Sequence, residues 1–257
     1  MKKLKYDDLE VVVSETEEKS GEAAAARFAQ AVNKALESQD EIAVILATGN
    51  SQLAFINAAV ARDDIDWSRI TVLHMDEYLG MPEDHPASFR KWMIDNIVAR
   101  VPLKKLEGMR GDHEPYEEEL ERYTRLLEDS KPAICVMGIG ENGHLAFNDP
   151  PADFEAPELM RLVEMDEVSR RQQVGEGHFA SIDEAPTHAL SMTIPALLAP
   201  ETILVVTPEA RKAEIVRRTL TEAVSPMVPA TILRNQANAT LFLDGDSSAE
   251  LNLENTD

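Results

Sequence analysis

A chain of 257 residues with 44% hydrophobic content can bury a full core, and the expectation is one domain over residues 1–257. A formal charge of −22 opposes a nucleic-acid partner, because phosphate contacts need clustered Lys and Arg. No apolar run approaches the roughly 18 residues of a spanning helix, and the first residues lack a signal-peptide pattern, so the expected setting is cytoplasmic, with no membrane partner.

In chain order, apolar runs at 9–13, 41–47, 70–75, 133–138, 201–206 and 239–243 read as strands. Between them, 15–38, 85–101, 114–129 and 208–220 carry apolar residues at helical spacing. This alternation predicts an α/β fold: a doubly wound, mostly parallel, Rossmann-like sheet with helices on both faces. Residues 151–186 show no clear strand, are rich in charge and glycine, and read as an inserted lid. The acidic end, 245–257, reads as a frayed, solvated tail. Cys135, the single cysteine, sits mid-strand and reads as a small buried hydrophobe rather than a nucleophile.

Open sheets of this kind bind ligands beyond the carboxyl ends of their strands, so the residues that follow each strand carry the functional signal. After 41–47 come Thr48, Gly49, Asn50 and Ser51, a small-residue turn that opens a helix. Such a turn can offer N–H groups to a phosphate, and an ordinary Asn or Ser N-cap is the alternative. It is neither a Walker loop nor a dinucleotide fingerprint. After 70–75 come Asp76 and Glu77. Neighbouring side chains on extended backbone point opposite ways, so one carboxylate faces the cleft and the other turns elsewhere. A generic Asp-Glu pair is usually an exposed turn, but a strand-end carboxylate among apolar residues is where a general base is kept poised.

After 133–138 the chain reads Gly138, Gly140, Asn142, Gly143, His144. The glycines permit a sharp exit, Asn142-Gly143 tolerates a left-handed turn, and His144 is thereby presented at the sheet edge. Asp149, stiffened by Pro150 and Pro151, can fix the tautomer of that imidazole. A lone histidine is usually structural; a glycine-bracketed one with a braced carboxylate behind it points to acid–base catalysis. An acidic chain that binds a phosphorylated metabolite must also build a local positive site from helix N-termini and a few cations.

The segments ATGNSQL, VLHMDEYLGMPEDHPASF and MGIGENGHLAFNDPP resemble, in this order, the phosphate-loop, catalytic-aspartate and histidine segments of the glucosamine-6-phosphate deaminases. That family shares a superfamily with the 6-phosphogluconolactonases. THALSMTIPALLAPETILVVTPEARKAEIV and NATLFLD are also similar, so the resemblance spans roughly 41–244. It implies conversion of glucosamine 6-phosphate to fructose 6-phosphate and ammonia. Asp76 resembles the base that moves a proton between C2 and C1, and His144 the residue that opens the sugar ring. Asp149 stands where the family commonly has a glutamate supporting that histidine, and Asn142 where members carry Asp or Asn. Thr48, Gly49, Asn50, Ser51, Gly143 and Lys212 fall on substrate-binding positions, Lys212 on the sugar phosphate. An arginine from the lid is also implied, with Arg170 and Arg171 as candidates and His178 as an extra one.

No Cys/His cluster suggests a metal, and no cofactor is expected. The enzymatic rival is a lactonase, whose relatives usually continue after Gly-His with a Thr-Ala-Ser-Leu-Phe type run where this chain reads Leu-Ala-Phe-Asn-Asp. A non-catalytic sugar-phosphate sensor is the rival from another class; it predicts a DNA-binding segment and a degraded catalytic set. The family ranges from monomers to hexamers, which leaves a homo-oligomer open.

Overall fold

The computed structural model describes residues 1–252. Its strands in chain order are β1 (Lys2–Tyr6), β2 (Leu9–Val13), β3 (Ile42–Leu46), β4 (Ile70–His74), β5 (Asp76–Tyr78), β6 (Lys105–Glu107), β7 (Ile134–Met137), β8 (Met160–Glu164), β9 (His188–Met192), β10 (Thr202–Val206) and β11 (Ala239–Leu243). The helices are α1 (Glu17–Leu36), α2 (Leu53–Val60), α3 (Phe89–Met93), α4 (Tyr116–Ser130), α5 (Glu167–Gly175), α6 (Ile194–Leu198) and α7 (Ala213–Thr221).

Eight strands form one sheet in the order β1-β2-β11-β10-β7-β3-β4-β6. Every pair is parallel except the β1–β2 hairpin. Both faces are covered, which explains why the central strands read as unbroken apolar runs rather than alternating ones. Ala43, Ile45, Cys135 and Met137 pack on one face, while Ile42, Val44, Leu46, Ile134 and Val136 pack on the other. Cys135 is fully buried, and burial pushes its thiol well above the ordinary range, in keeping with an inert packing role.

α1 begins where Thr16 Oγ1 accepts the Lys19 N–H at 3.3 Å, with Glu17 and Glu18 in the first turn facing the positive helix end. Its buried stripe of Ala24, Ala25, Phe28, Ala29 and Val32 covers one face of the sheet and packs on α2. Gly21 makes that approach possible. A Cβ there would lie 2.5 Å from the Ala54 carbonyl carbon and 2.8 Å from the Phe55 nitrogen, with backbone on the other side that cannot move aside.

A second, three-stranded antiparallel sheet has the order β5-β9-β8. It corrects the expectation for 151–186: that stretch holds both β8 and α5. β8 escaped notice because Arg161 and Glu164 interrupt its apolar residues, and it lies at the edge of the small sheet with one face half-buried. β1 was missed for a related reason. Only Leu4 of Lys2–Tyr6 is buried, and the lysines line an outer edge, where they discourage pairing with another chain. The stretch 85–101 is helical but changes pitch, from α3 to a wider π turn over Ile94–Val98.

The expected frayed tail is also corrected in part. Asp244 Oδ1 accepts the Ser247 N–H at 2.7 Å and Asp244 O accepts the Ser248 hydroxyl at 2.7 Å, so both serines are buried and Leu251 packs on the core. The remainder of that tail, 253–257, lies outside the described residues.

Gly21→Ala should cost about 1–3 kcal/mol by forcing α1 away from α2. Urea unfolding is the check, with a lower midpoint at unchanged slope expected; an unchanged midpoint would show that the helix pair tolerates the methyl group.

Candidate active site

The strand order reverses between β3 and β7, with β4 beside β3 on one flank and β10 beside β7 on the other. The cleft at their carboxyl ends is lined by Thr48 to Gln52, Met75, Asp76, Gly138 to Gly140, His144, Phe147, Gln172, Gln173, Glu176, His178, Thr207 and Lys212.

Asp76 and Glu77 lie on β5, and the extended backbone separates them as the sequence predicts. Glu77 turns away and is fully buried, accepting the N–H groups of Tyr78, Phe89 and Arg90 at 2.9–3.2 Å and the Ser88 hydroxyl at 2.8 Å. It thereby caps the start of α3. Asp76 faces the cleft with 8% of its surface exposed. Burial first, then the Glu77 charge, pushes its carboxyl up to about 8, a basicity suited to taking a proton from carbon.

His144 is set by the glycine loop before it. Gly143 adopts φ +90°, and a Cβ on Gly140 would fall 2.1 Å from His144 Nε2, so the imidazole packs flat against a position only glycine can hold. Asn142 Oδ1 accepts the His144 N–H at 3.0 Å, while its amide donates to Asp149 Oδ1 and Asp166 Oδ2, both at 2.9 Å. Gly143 itself does not line the cleft; its carbonyl accepts the Ala230 N–H at 2.9 Å.

Asp149, though one methylene shorter than a glutamate, reaches His144: its Oδ1 lies 3.1 Å from Nδ1. Ser169 Oγ lies 2.9 Å from the same nitrogen and donates to Asp149 Oδ1 at 2.5 Å. Burial opposes ionisation of Asp149, but hydrogen bonds from His144, Asn142 and Ser169 and the His144 charge outweigh it and bring the carboxyl down to about 2. An ionised Asp149 cannot donate, and the Ser169 proton is committed to it. Nδ1 must therefore be the donor, so in the neutral form of the ring the lone pair lies on Nε2.

At the other end of the cleft, the turn from Thr48 to Ser51 continues into a short 3-10 turn, Asn50–Gln52, and then α2. Gly49 at φ +97° stands at the cap position, where no side chain occupies the first N–H groups. Asn50 and Ser51 are therefore not acting as N-caps; Ser51 Oγ donates instead to Glu209 at 2.9 Å. Lys212 is 2% exposed, and among the described residues its ammonium has no hydrogen-bond or ion-pair partner. Burial, then the neighbouring Arg211 charge, pulls it down to about 8.

The two arginine candidates on α5 do not line the cleft. Arg170 donates to the carbonyls of Ile182 and Ala185, and Arg171 pairs with Glu167 on the surface. His178 does line it. Sequence reasoning missed Ser169, Gln172, Gln173 and Glu176, which share one face of α5 and the turn after it. Their spacing of i, i+3, i+4, i+7 was a readable signal: a polar stripe with helical period aimed at the site. Arg211 was also missed; it does not line the cleft either, but it pairs with Glu141, Glu176 and Glu209, and of these Glu176 does line it.

Fold and cleft define the class, a doubly wound α/β protein with a buried carboxyl, an imidazole and a buried lysine gathered at its switch point. The chain belongs to the family described as glucosamine-6-phosphate isomerases/6-phosphogluconolactonase, which matches residues 15–242. A glucosamine-6-phosphate deaminase from Streptococcus pneumoniae serotype 4 is 34% identical over 202 residues, 79% of this chain and 84% of the relative. Among solved structures, a monomeric glucosamine-6-phosphate deaminase superposes with a TM-score of 0.85 at 26% identity, covering 93% of this chain and 99% of its own. A 6-phosphogluconolactonase from Thermotoga maritima shares the fold, with a TM-score of 0.74 at 17% identity over 91% of this chain and 98% of its own. Among the described residues, no helix is long and apolar enough to cross a membrane.

The raised carboxyl of Asp76 makes a stability prediction independent of its role. In the unfolded chain it ionises near 3.8, whereas the fold holds its proton to about 8, so its contribution is complete at low pH and is lost as pH rises through about 8. Asp76→Asn should therefore match wild type near pH 4 and exceed it by more than about 1 kcal/mol at pH 8, as read by urea unfolding. Equal stability across that range would show that the Asp76 carboxylate is not penalised by its site.

Proposed function

We propose that the chain is a glucosamine-6-phosphate deaminase, releasing ammonia and fructose 6-phosphate from the phosphorylated amino sugar. The observation that carries the reading is Lys212: a buried ammonium without a partner among the described residues, in the same cleft as Asp76 and His144. A ligand with an anion at one end and reacting carbons at the other satisfies all three. Membership of the family, and relatives bearing that name, support the choice of substrate.

The phosphate is received by Lys212 and the uncapped N–H groups after Gly49, with the positive end of the turn adding to the attraction. His144 Nε2 takes the proton from the anomeric hydroxyl and returns it to the ring oxygen, which opens the ring to the aldehyde. Asp76 removes the C2 proton while the substrate's own ammonium passes a proton to the C1 oxygen, giving a neutral enolamine. The same carboxyl delivers the proton to C1, leaving a C2 iminium. Water adds at C2 and ammonia departs, so one water is consumed for each ammonia released. Asn142, Asp149 and Ser169 hold His144 in the tautomer that this sequence needs.

The deciding assay supplies glucosamine 6-phosphate, galactosamine 6-phosphate and 6-phosphogluconolactone and follows ammonia and acid. Ammonia from an amino sugar phosphate is expected; acid from the lactone alone would replace this reading with a lactonase. Asp76→Asn should still bind substrate but fail to exchange the C2 proton with deuterated water, and normal exchange would assign the base elsewhere. Lys212→Ala should raise KM roughly tenfold or more, as loss of a charge-assisted contact does; an unchanged KM would take Lys212 out of the phosphate site.

Asp76 must be ionised and Lys212 charged, and both titrate near 8 in the empty cleft. kcat/KM, which reports the free enzyme, should therefore rise with pH, pass through a maximum close to 8, and fall beyond it. A profile that stays flat through 8 would contradict these assignments.

A further inference from the structure

Arg211 precedes Lys212 in the chain, yet its guanidinium is fully engaged by carboxylates. Nη1 contacts Glu141 at 3.1 Å and Glu176 at 2.9 Å, while Nε and Nη2 reach Glu209 at 2.8 and 3.1 Å. Three acids on one guanidinium exceed what neutrality requires. Two of them already belong to the anion-receiving end of the cleft. Glu209 Oε1 also accepts Ser51 Oγ at 2.9 Å, and Glu209 holds its place on strained backbone at φ +83°. Glu176 lines the cleft, its Oε2 4.0 Å from where a Cβ on Gly49 would stand.

Glu176 is thus an internal anion beside the turn meant for an external one. Burial opposes its charge, but the nearby His178 ring, 3.5 Å away, the hydrogen bond from Gln172 and the charge and hydrogen bond of Arg211 outweigh that, bringing its carboxyl down to about 2. It stays ionised at any working pH. With Glu176 in place the cleft encloses about 90 Å³, below the roughly 300–1,000 Å³ of ligand pockets. Glu176 is the ionised carboxylate that lines this end of the cleft, a like charge in the path of a phosphate approaching Lys212.

We propose that Arg211 is a second phosphate-positioning cation, held in reserve by Glu176, and that the substrate phosphate replaces this carboxylate on the guanidinium. The proposal rests on the phosphate reading of the Lys212 end of the cleft and adds a residue to it. A phosphate dianion brings more charge and more acceptor oxygens to the planar guanidinium than one carboxylate can, which favours the exchange. Glu141 and Glu209 stay behind to aim Arg211, and release of Glu176 frees the end of α5 to make room for the sugar.

The test titrates inorganic phosphate into wild type, Arg211→Gln and Glu176→Gln, followed by phosphorus NMR, alongside KM for the amino sugar phosphate. Arg211→Gln should weaken phosphate binding about tenfold. Glu176→Gln keeps the shape, removes the competing charge, and should tighten it about fivefold, with KM moving in the same directions. A merely structural ion pair predicts no such opposition of sign. Unchanged affinity in Arg211→Gln, weaker binding in Glu176→Gln, or no phosphate binding by wild type in the millimolar range would each overturn the proposal. The phosphate arm needs no turnover. Opposite shifts without ammonia release would sink the deaminase reading and spare this one; ammonia release with fixed phosphate affinities would do the reverse.

Discussion

The parallel pairing of β3 with β7 is the contact on which the cleft depends. Leu46 stands opposite Val136, and the Ala47 N–H donates to the Val136 carbonyl at 2.8 Å, so the Thr48 turn and the Gly138 loop leave the sheet side by side. β4 on one flank delivers Asp76, and β10 on the other delivers Thr207 and the Lys212 turn. Gln52 ties the halves together, its amide donating to the Val206 carbonyl at 3.2 Å, and Gly138 is small enough to let it pass. The crevice exists because the strand order reverses at this pair. Moving either strand by one residue would send its last apolar side chain to the wrong face and its loop away from the other.

α5 relates the two ends of that crevice. Its first turn belongs to the histidine: Asp166 caps the helix by accepting the Ser169 N–H at 2.6 Å, and its own N–H donates to Asp149 Oδ2 at 3.0 Å. The turn after its last residue belongs to the anion end, through Glu176 and His178. A single short helix therefore braces the His144–Asp149 pair at one end and holds Glu176 beside Arg211 at the other. Tyr78 fixes its middle, the phenol donating to Gln173 Oε1 at 2.6 Å.

The doubly wound sheet was legible because buried parallel strands leave continuous apolar runs, and all six runs read as strands hold one. Asp76, His144 and the Thr48 turn were legible because each directly follows such a run. What could not be read depended on distance in the chain. Nothing near Arg170 or Arg171 says that one guanidinium will be spent on the Ile182 and Ala185 carbonyls and the other on Glu167, while Arg211, in an ordinary-looking helix start, gathers acids from three loops. Ser169 lay hidden for a similar reason, since a serine after an N-cap Asp reads as helix chemistry until the fold brings it 2.9 Å from an imidazole 25 residues earlier. The charged interruptions of β8 concealed the second sheet, whose pairing with β5 by way of β9 is what holds Asp76 extended.

The burial that builds the site also disfavours its working charges. Asp76 is pushed up and Lys212 pulled down to nearly the same value, so in the empty cleft each is inclined to its neutral form around pH 8. An amino sugar phosphate carries the complementary pair, an ammonium for the acid and a phosphate for the lysine. Each end of such a ligand restores the charge that burial opposes, Asp76 losing a proton and Lys212 gaining one. These two proton movements cancel, so binding at that end of the pH range draws on ionisation of both groups with little net exchange with solvent. A neutral sugar offers neither compensation. In so acidic a chain, a buried acid and a buried lysine without a side-chain partner among the described residues share one crevice, an arrangement whose charges complement a zwitterionic ligand.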